Sequence, residues 1–132
     1  MKIQTTRNQG IHITIGDWRI SAQWGIGSYC DTRSNDAEQF TRAMNEMRRG
    51  DYVAPPARLV EVAVVNEDTG YWVKQSDDTQ LTTDVWGWVP LYHVFALALE
   101  LNAYALGGDA ELDVERVTEV ARRHLNLNER GV

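Results

Sequence analysis

Apolar residues recur at every second position in Ile11-His12-Ile13-Thr14-Ile15. They do so again at Trp18, Ile20, Ala22 and Trp24, which alternate with Arg19, Ser21 and Gln23. A period of two turns one apolar face to a core and one polar face to water, as a half-buried β-strand does. Gly16-Asp17 separates the runs, and glycine accepts the positive φ of a two-residue turn, so the pair predicts an N-terminal hairpin. Leu59 to Val65 is almost continuously apolar and rich in Val, with Glu61 its one polar member, the pattern of a strand covered on both faces. Asn66 to Gly70 reads as a turn and Tyr71-Trp72-Val73-Lys74 as the returning strand. Asp84 to Val89 reads as one more short strand, with Trp86 and Trp88 on one face and Gly87 marking a bulge or a close approach.

Helical spacing appears three times. Asn35 is placed to cap a helix, and Glu38 completes a capping box. Phe40, Ala43, Met44 and Met47 then follow at helical spacing, and Arg48-Arg49-Gly50 closes the segment. Pro90 suits a first turn, and from Leu91 to Leu106 only His93, Glu100 and Asn102 are strongly polar. Those 16 residues reach about 24 Å, short of the roughly 30 Å hydrocarbon layer, and Glu100 weighs further against a membrane span. A helix apolar nearly all round is buried by its own domain or by another subunit, so a homo-oligomer through helix 91–106 is expected. Asp113 caps a last helix with Val114, Val117, Ala121 and Leu125 as its apolar stripe and Glu115, Arg116, Glu119, Arg122 and Arg123 as its wet face. Residues 126–132 read as a frayed tail. The order β-β-α-β-β-β-α-α predicts one α+β domain over residues 1–132, a mostly antiparallel sheet (the hairpin plus three strands) backed by helices.

Composition narrows the functional classes. The chain has 132 residues, 43% of them hydrophobic and 24% charged, values of a folded domain. Nineteen acidic against thirteen basic side chains give a net charge of −6, which argues against direct binding of a nucleic-acid duplex. A single cysteine and no secretory signal at the start predict a cytoplasmic protein.

No catalytic set is legible. Cys30 lies beside Asp31 in a Gly-containing loop and needs a base such as His93 or His124 to ionise, yet no cysteine signature surrounds it and a buried, inert thiol is the commoner case. His12, His93 and His124 lack the spacing of paired metal ligands, and Asp77, Asp78 and Asp84 do not fit a calcium loop. Gly25-x-Gly27-x-x-Cys30 lacks the third glycine of a dinucleotide fingerprint and any βαβ context. The helix start at Asn35, with Arg33 beside it, offers N–H groups to an anion, although simple capping is the more frequent role. A non-enzymatic protein without cofactor or metal is expected. The unusual feature is five tryptophans, Trp18, Trp24, Trp72, Trp86 and Trp88, with Tyr29, Tyr52 and Tyr71 near strand ends. A buried indole must find a partner for its N–H, whereas an exposed one stacks on a flat base or fills a partner's pocket. Trp18 and Trp72 fit a core. Trp24, Trp86 and Trp88 adjoin glycines and loops, and with Tyr29 and Arg33 they are the candidate ligand contacts.

Residues 20–31, Ile-Ser-Ala-Gln-Trp-Gly-Ile-Gly-Ser-Tyr-Cys-Asp, lead on to a Val-rich strand, a Gly-Tyr-Trp-Val return and a Trp-Gly-Trp-Val segment. This succession resembles short uncharacterised bacteriophage and prophage proteins that carry a Gln-Trp-Gly-x-Gly-x-Tyr-Cys strand–loop segment. The resemblance spans residues 11–100, is most specific in its first dozen, and implies phage origin without an activity or a catalytic residue. By analogy, small acidic phage proteins serve in counter-defence. Two modes follow. One is sequestration of a nucleotide-type host immune signal in an aromatic and Arg pocket, toward which the indoles tilt the expectation. The other is an acidic, anti-CRISPR-like inhibitor that covers a host defence protein.

Overall fold

The predicted hairpin forms in the register its alternation requires. Strands β2 (Gly10–Ile15) and β3 (Trp18–Gln23) pair antiparallel with Ile13 opposite Ile20 and Ile15 opposite Trp18, and Gly16 takes φ +59° in the turn. These are features of a computed structural model that describes residues 1–6, 9–25, 36–53, 58–107 and 112–127. Strand β4 (Leu59–Asn66) continues the sheet beside β3, its inner Val60, Val62 and Val64 fully enclosed. Ala63 and Val65, on its opposite face, are also buried, which explains why no polar alternation shows in its sequence.

The domain is α+β, and its described residues form a five-stranded antiparallel sheet and three helices. Its sheet order is β1-β2-β3-β4-β5, where β1 is Lys2–Thr5 and β5 is Trp86–Pro90. Helix α2 (Leu91–Leu106) lies across the inner face of β2 to β5, and α3 (Val114–Leu125) packs against α2. Trp18, sealed at 2% exposure, ties these layers together by donating its indole N–H to the Leu112 carbonyl at 2.7 Å. No helix among the described residues is long and apolar enough to cross a membrane.

Several elements differ in detail from the sequence reading. Strand β1 carries no alternation to read because all four of its residues are exposed. The return at 71–74 makes one bridge, Trp72 to Val65, rather than a strand. The physical reason is that one edge of β4 is shared. β5 pairs with Leu59 to Val62, which leaves only the far end of β4, Val64 to Asn66, to bond Tyr71 and Val73. The element order is therefore β-β-β-α-β-β-α-α. Helix α1 (Ala37–Arg49) is capped by Asp36, which accepts from the Gln39 N–H at 2.9 Å, and not by Asn35, which lies outside the described residues. Gly50 closes α1 at φ +75°. Asp113 caps α3 as predicted, but the buried stripe is Val117, Val120, Ala121 and Leu125, leaving Val114 in solvent. Asn126, expected at the start of a frayed tail, is anchored by two side-chain hydrogen bonds, and 128–132 lie outside the described residues.

Candidate functional site

Strand β5 carries the most unusual backbone among the described residues. Val60 pairs with Val89 and Val62 with Trp86, so Gly87 and Trp88 together oppose the single residue Glu61. This is a β-bulge, where the extra residue kinks the strand and re-aims a side chain. Trp88 absorbs the kink at φ +58°, the one non-glycine with positive φ among the described residues, and its side chain is 50% exposed. A left-handed backbone costs a bulky L-residue on the order of 1–2 kcal/mol.

Trp86, two residues earlier, has the opposite role. It is 2% exposed, and its indole N–H donates to Asn126 Oδ1 at 2.7 Å. Asn126 in turn donates through Nδ2 to the Gln75 carbonyl at 3.1 Å. Gln75 is fixed a second time, since its N–H donates to Asp84 Oδ2 at 2.8 Å and its Nε2 donates to the Val85 carbonyl at 2.6 Å. The sequence Trp86–Asn126–Gln75–Asp84 thus clamps the polar segment 75–84 against β5 and the end of α3.

Between these walls runs an open groove of about 810 Å³ with Trp88 on its rim and Trp86 at its back. Ser76, Thr79, Leu81 and Leu127 are among the other lining residues. Asp84 is the one charged residue on it, and no Arg, Lys or His lines it among the described residues. A second shallow groove of about 860 Å³ lies along α3 beside Tyr71. Its cations are committed: Arg122 donates to the Lys74 carbonyl at 2.9 Å and to Asp77 at 3.0 Å, and Arg123 donates to Glu100 at 2.6 Å.

Three of the five sequence candidates, Trp24, Trp86 and Trp88, lie among the described residues. Trp86 and Trp88 share the first groove, but only Trp88 presents a face to solvent; Trp86 is a core residue because Asn126 satisfies its N–H inside. Trp24 is half-buried and joins the main core to a small cluster of Ala43, Tyr52 and Met47, so it packs rather than lines this groove. Tyr29 and Arg33 lie outside the described residues, as does Cys30. Of the two bases considered for that thiol, His124 sits 3.0 Å from Glu100 and the ring of His93 packs on Tyr92. Glu100 is pushed up by burial, but hydrogen bonds from Arg123 and His124 outweigh this and hold it below the usual carboxylate range. On the outer sheet face, burial and then the Arg19 guanidinium hold His12 below its ordinary value, with Glu67 opposing. Among the described residues no three His, Cys, Asp or Glu side chains gather around one point.

Two features escaped the sequence reading. One is the Asn126 relay, whose partners are 40 and 51 residues away and leave no local pattern. The other is an outward apolar stripe on α2, formed by Tyr92, Phe95, Leu99 and Leu106. An apolar excess was visible in that segment, but not which side of it faces water. No protein family, curated protein or solved structure matches the chain.

Proposed function

We propose that this chain is a non-enzymatic binding protein that docks a protein partner at the Trp88 groove. In the phage setting its sequence resembles, the partner is a component of a host defence complex in the cytoplasm. The observation that carries this reading is Trp88 itself, held half-exposed on a bulge in a backbone conformation that costs free energy. A packing role would favour an enclosed rotamer on relaxed backbone. Exposed tryptophans on rigid strands are instead the residue type that dominates protein interfaces, seated in a partner's pocket. The acidic balance of the chain suits a basic partner surface.

A nucleotide-type signal stacked on the same indole is the second reading, favoured by a groove of ligand size. Against it, among the described residues the groove's one charge is the Asp84 carboxylate, and a phosphate needs Arg or Lys. The reading also includes a homo-oligomer through helix 91–106, supported by the outward stripe of α2. The test uses immobilised wild type and Trp88→Gly as baits in host lysate, beside thermal shifts with a panel of cyclic nucleotides. The expected result is a discrete protein held by wild type and lost with Trp88→Gly, with no nucleotide shift. A nucleotide that stabilises the chain and is recovered intact would establish sequestration instead, and one recovered altered would establish an enzyme.

A further inference from the structure

The exposed side of α2 is patterned, not merely apolar. Tyr92, Leu99 and Leu106 recur every seven residues, and Phe95 and Ala103 fill the intervening positions on the same face. All five are exposed. The inner side of the helix, Val94, Leu97, Ala98 and Leu101, is already sealed against the domain. Glu100, the only charged residue of α2, is turned away to Arg123 and His124 on α3. The stripe therefore carries no charge, and two copies, each at −6, meet along it without opposing carboxylates.

We infer that this stripe is the seam of a two-fold homodimer in which α2 packs antiparallel on α2 of a second copy, centred on Leu99. The inference rests on the homo-oligomer reading above and gives it a register. A two-fold axis at Leu99 sets each residue against the one equally far on the other side: Tyr92 meets Leu106, and the large Phe95 meets the small Ala103. Large against small at facing positions is the complementarity a packed interface needs, and isologous contact requires that one surface supply both halves. Exposures of 68% for Tyr92, 39% for Phe95, 62% for Leu99 and 79% for Leu106 leave on the order of 500 Å² per copy, at about 200 Å² for each large side chain. A pair then buries ~1,000 Å², the level at which specific interfaces begin. A basic partner would find no carboxylate on this stripe, so charge favours a second copy there.

The test is sedimentation equilibrium of the full chain at micromolar concentration, with circular dichroism as the check on folding. Wild type is expected to be a dimer, and Leu99→Glu a folded monomer with association weakened at least about 100-fold. In a Cys30→Ser background, Leu99→Cys is expected to form a disulfide-linked dimer on mild oxidation, while Tyr92→Cys links only to Leu106→Cys in a mixture. A monomeric wild type, or one whose stripe is filled by another protein, overturns both this inference and the homo-oligomer reading. A dimer that survives Leu99→Glu overturns this inference alone. Tyr92→Cys linking to itself overturns the antiparallel register.

Discussion

Trp86 and Trp88 stand two residues apart on one strand, one enclosed and one half-exposed, so truncating each must cost differently. Trp86→Ala empties a site that is 2% exposed and removes the donor to Asn126. Loss of a buried Trp to Ala costs about 3–5 kcal/mol. Trp88 is 50% exposed, so about half of a 200–250 Å² side chain is covered. At about 25 cal/mol/Å² its burial contributes on the order of 2.5–3 kcal/mol. Trp88→Gly forfeits that and adds up to ~1 kcal/mol of chain entropy to the unfolded state. It also relieves the φ of +58°, which returns on the order of 1–2 kcal/mol. The net loss expected for Trp88→Gly is about 0.5–3 kcal/mol, centred at roughly half that of Trp86→Ala. Urea unfolding followed by circular dichroism at one fixed protein concentration measures both. Equal losses for the two variants would refute the division of labour.

Asp113→Ala removes the cap of a helix sealed in the core and should lower global stability by ~1 kcal/mol, whereas Asp36→Ala should loosen α1, which buries only Ala43, with little change in the cooperative transition. Glu100 is held below its ordinary value, so its stabilisation is complete above the usual carboxylate range and lost as pH falls through the lowered folded value; Glu100→Gln should flatten the acid limb of a stability–pH profile. The lowered value of His12 has the same sign. Its contribution is present above about pH 6.5 and is lost on acidification as the folded-state imidazole charges, so His12→Gln should remove part of the slope just below neutrality, and proton NMR of the imidazole should show the low midpoint.

What was legible followed from periodicity. The hairpin shows because one face of each strand meets the core, and the buried β4 and the limits of α2 show as nearly unbroken apolar runs. β1 was silent because a fully exposed strand leaves no pattern, and 71–74 misled because the turn before it is real while β5 occupies the edge it would need. At the site, Gly87 betrayed the bulge, but the sequence cannot say which neighbour takes the left-handed turn or which of two indoles the bulge turns outward. That choice is made by Asn126, far along the chain, which accepts the N–H of Trp86 and leaves Trp88 outside.

The most direct measurement is site-specific photocrosslinking in the cell where the chain is naturally made, with p-benzoylphenylalanine at position 88 and, as control, at Asp68 in the exposed β4 turn. One discrete heterologous protein adduct is expected at 88 and none at 68. No adduct at 88, or the same adducts from both positions, would contradict docking at the Trp88 groove.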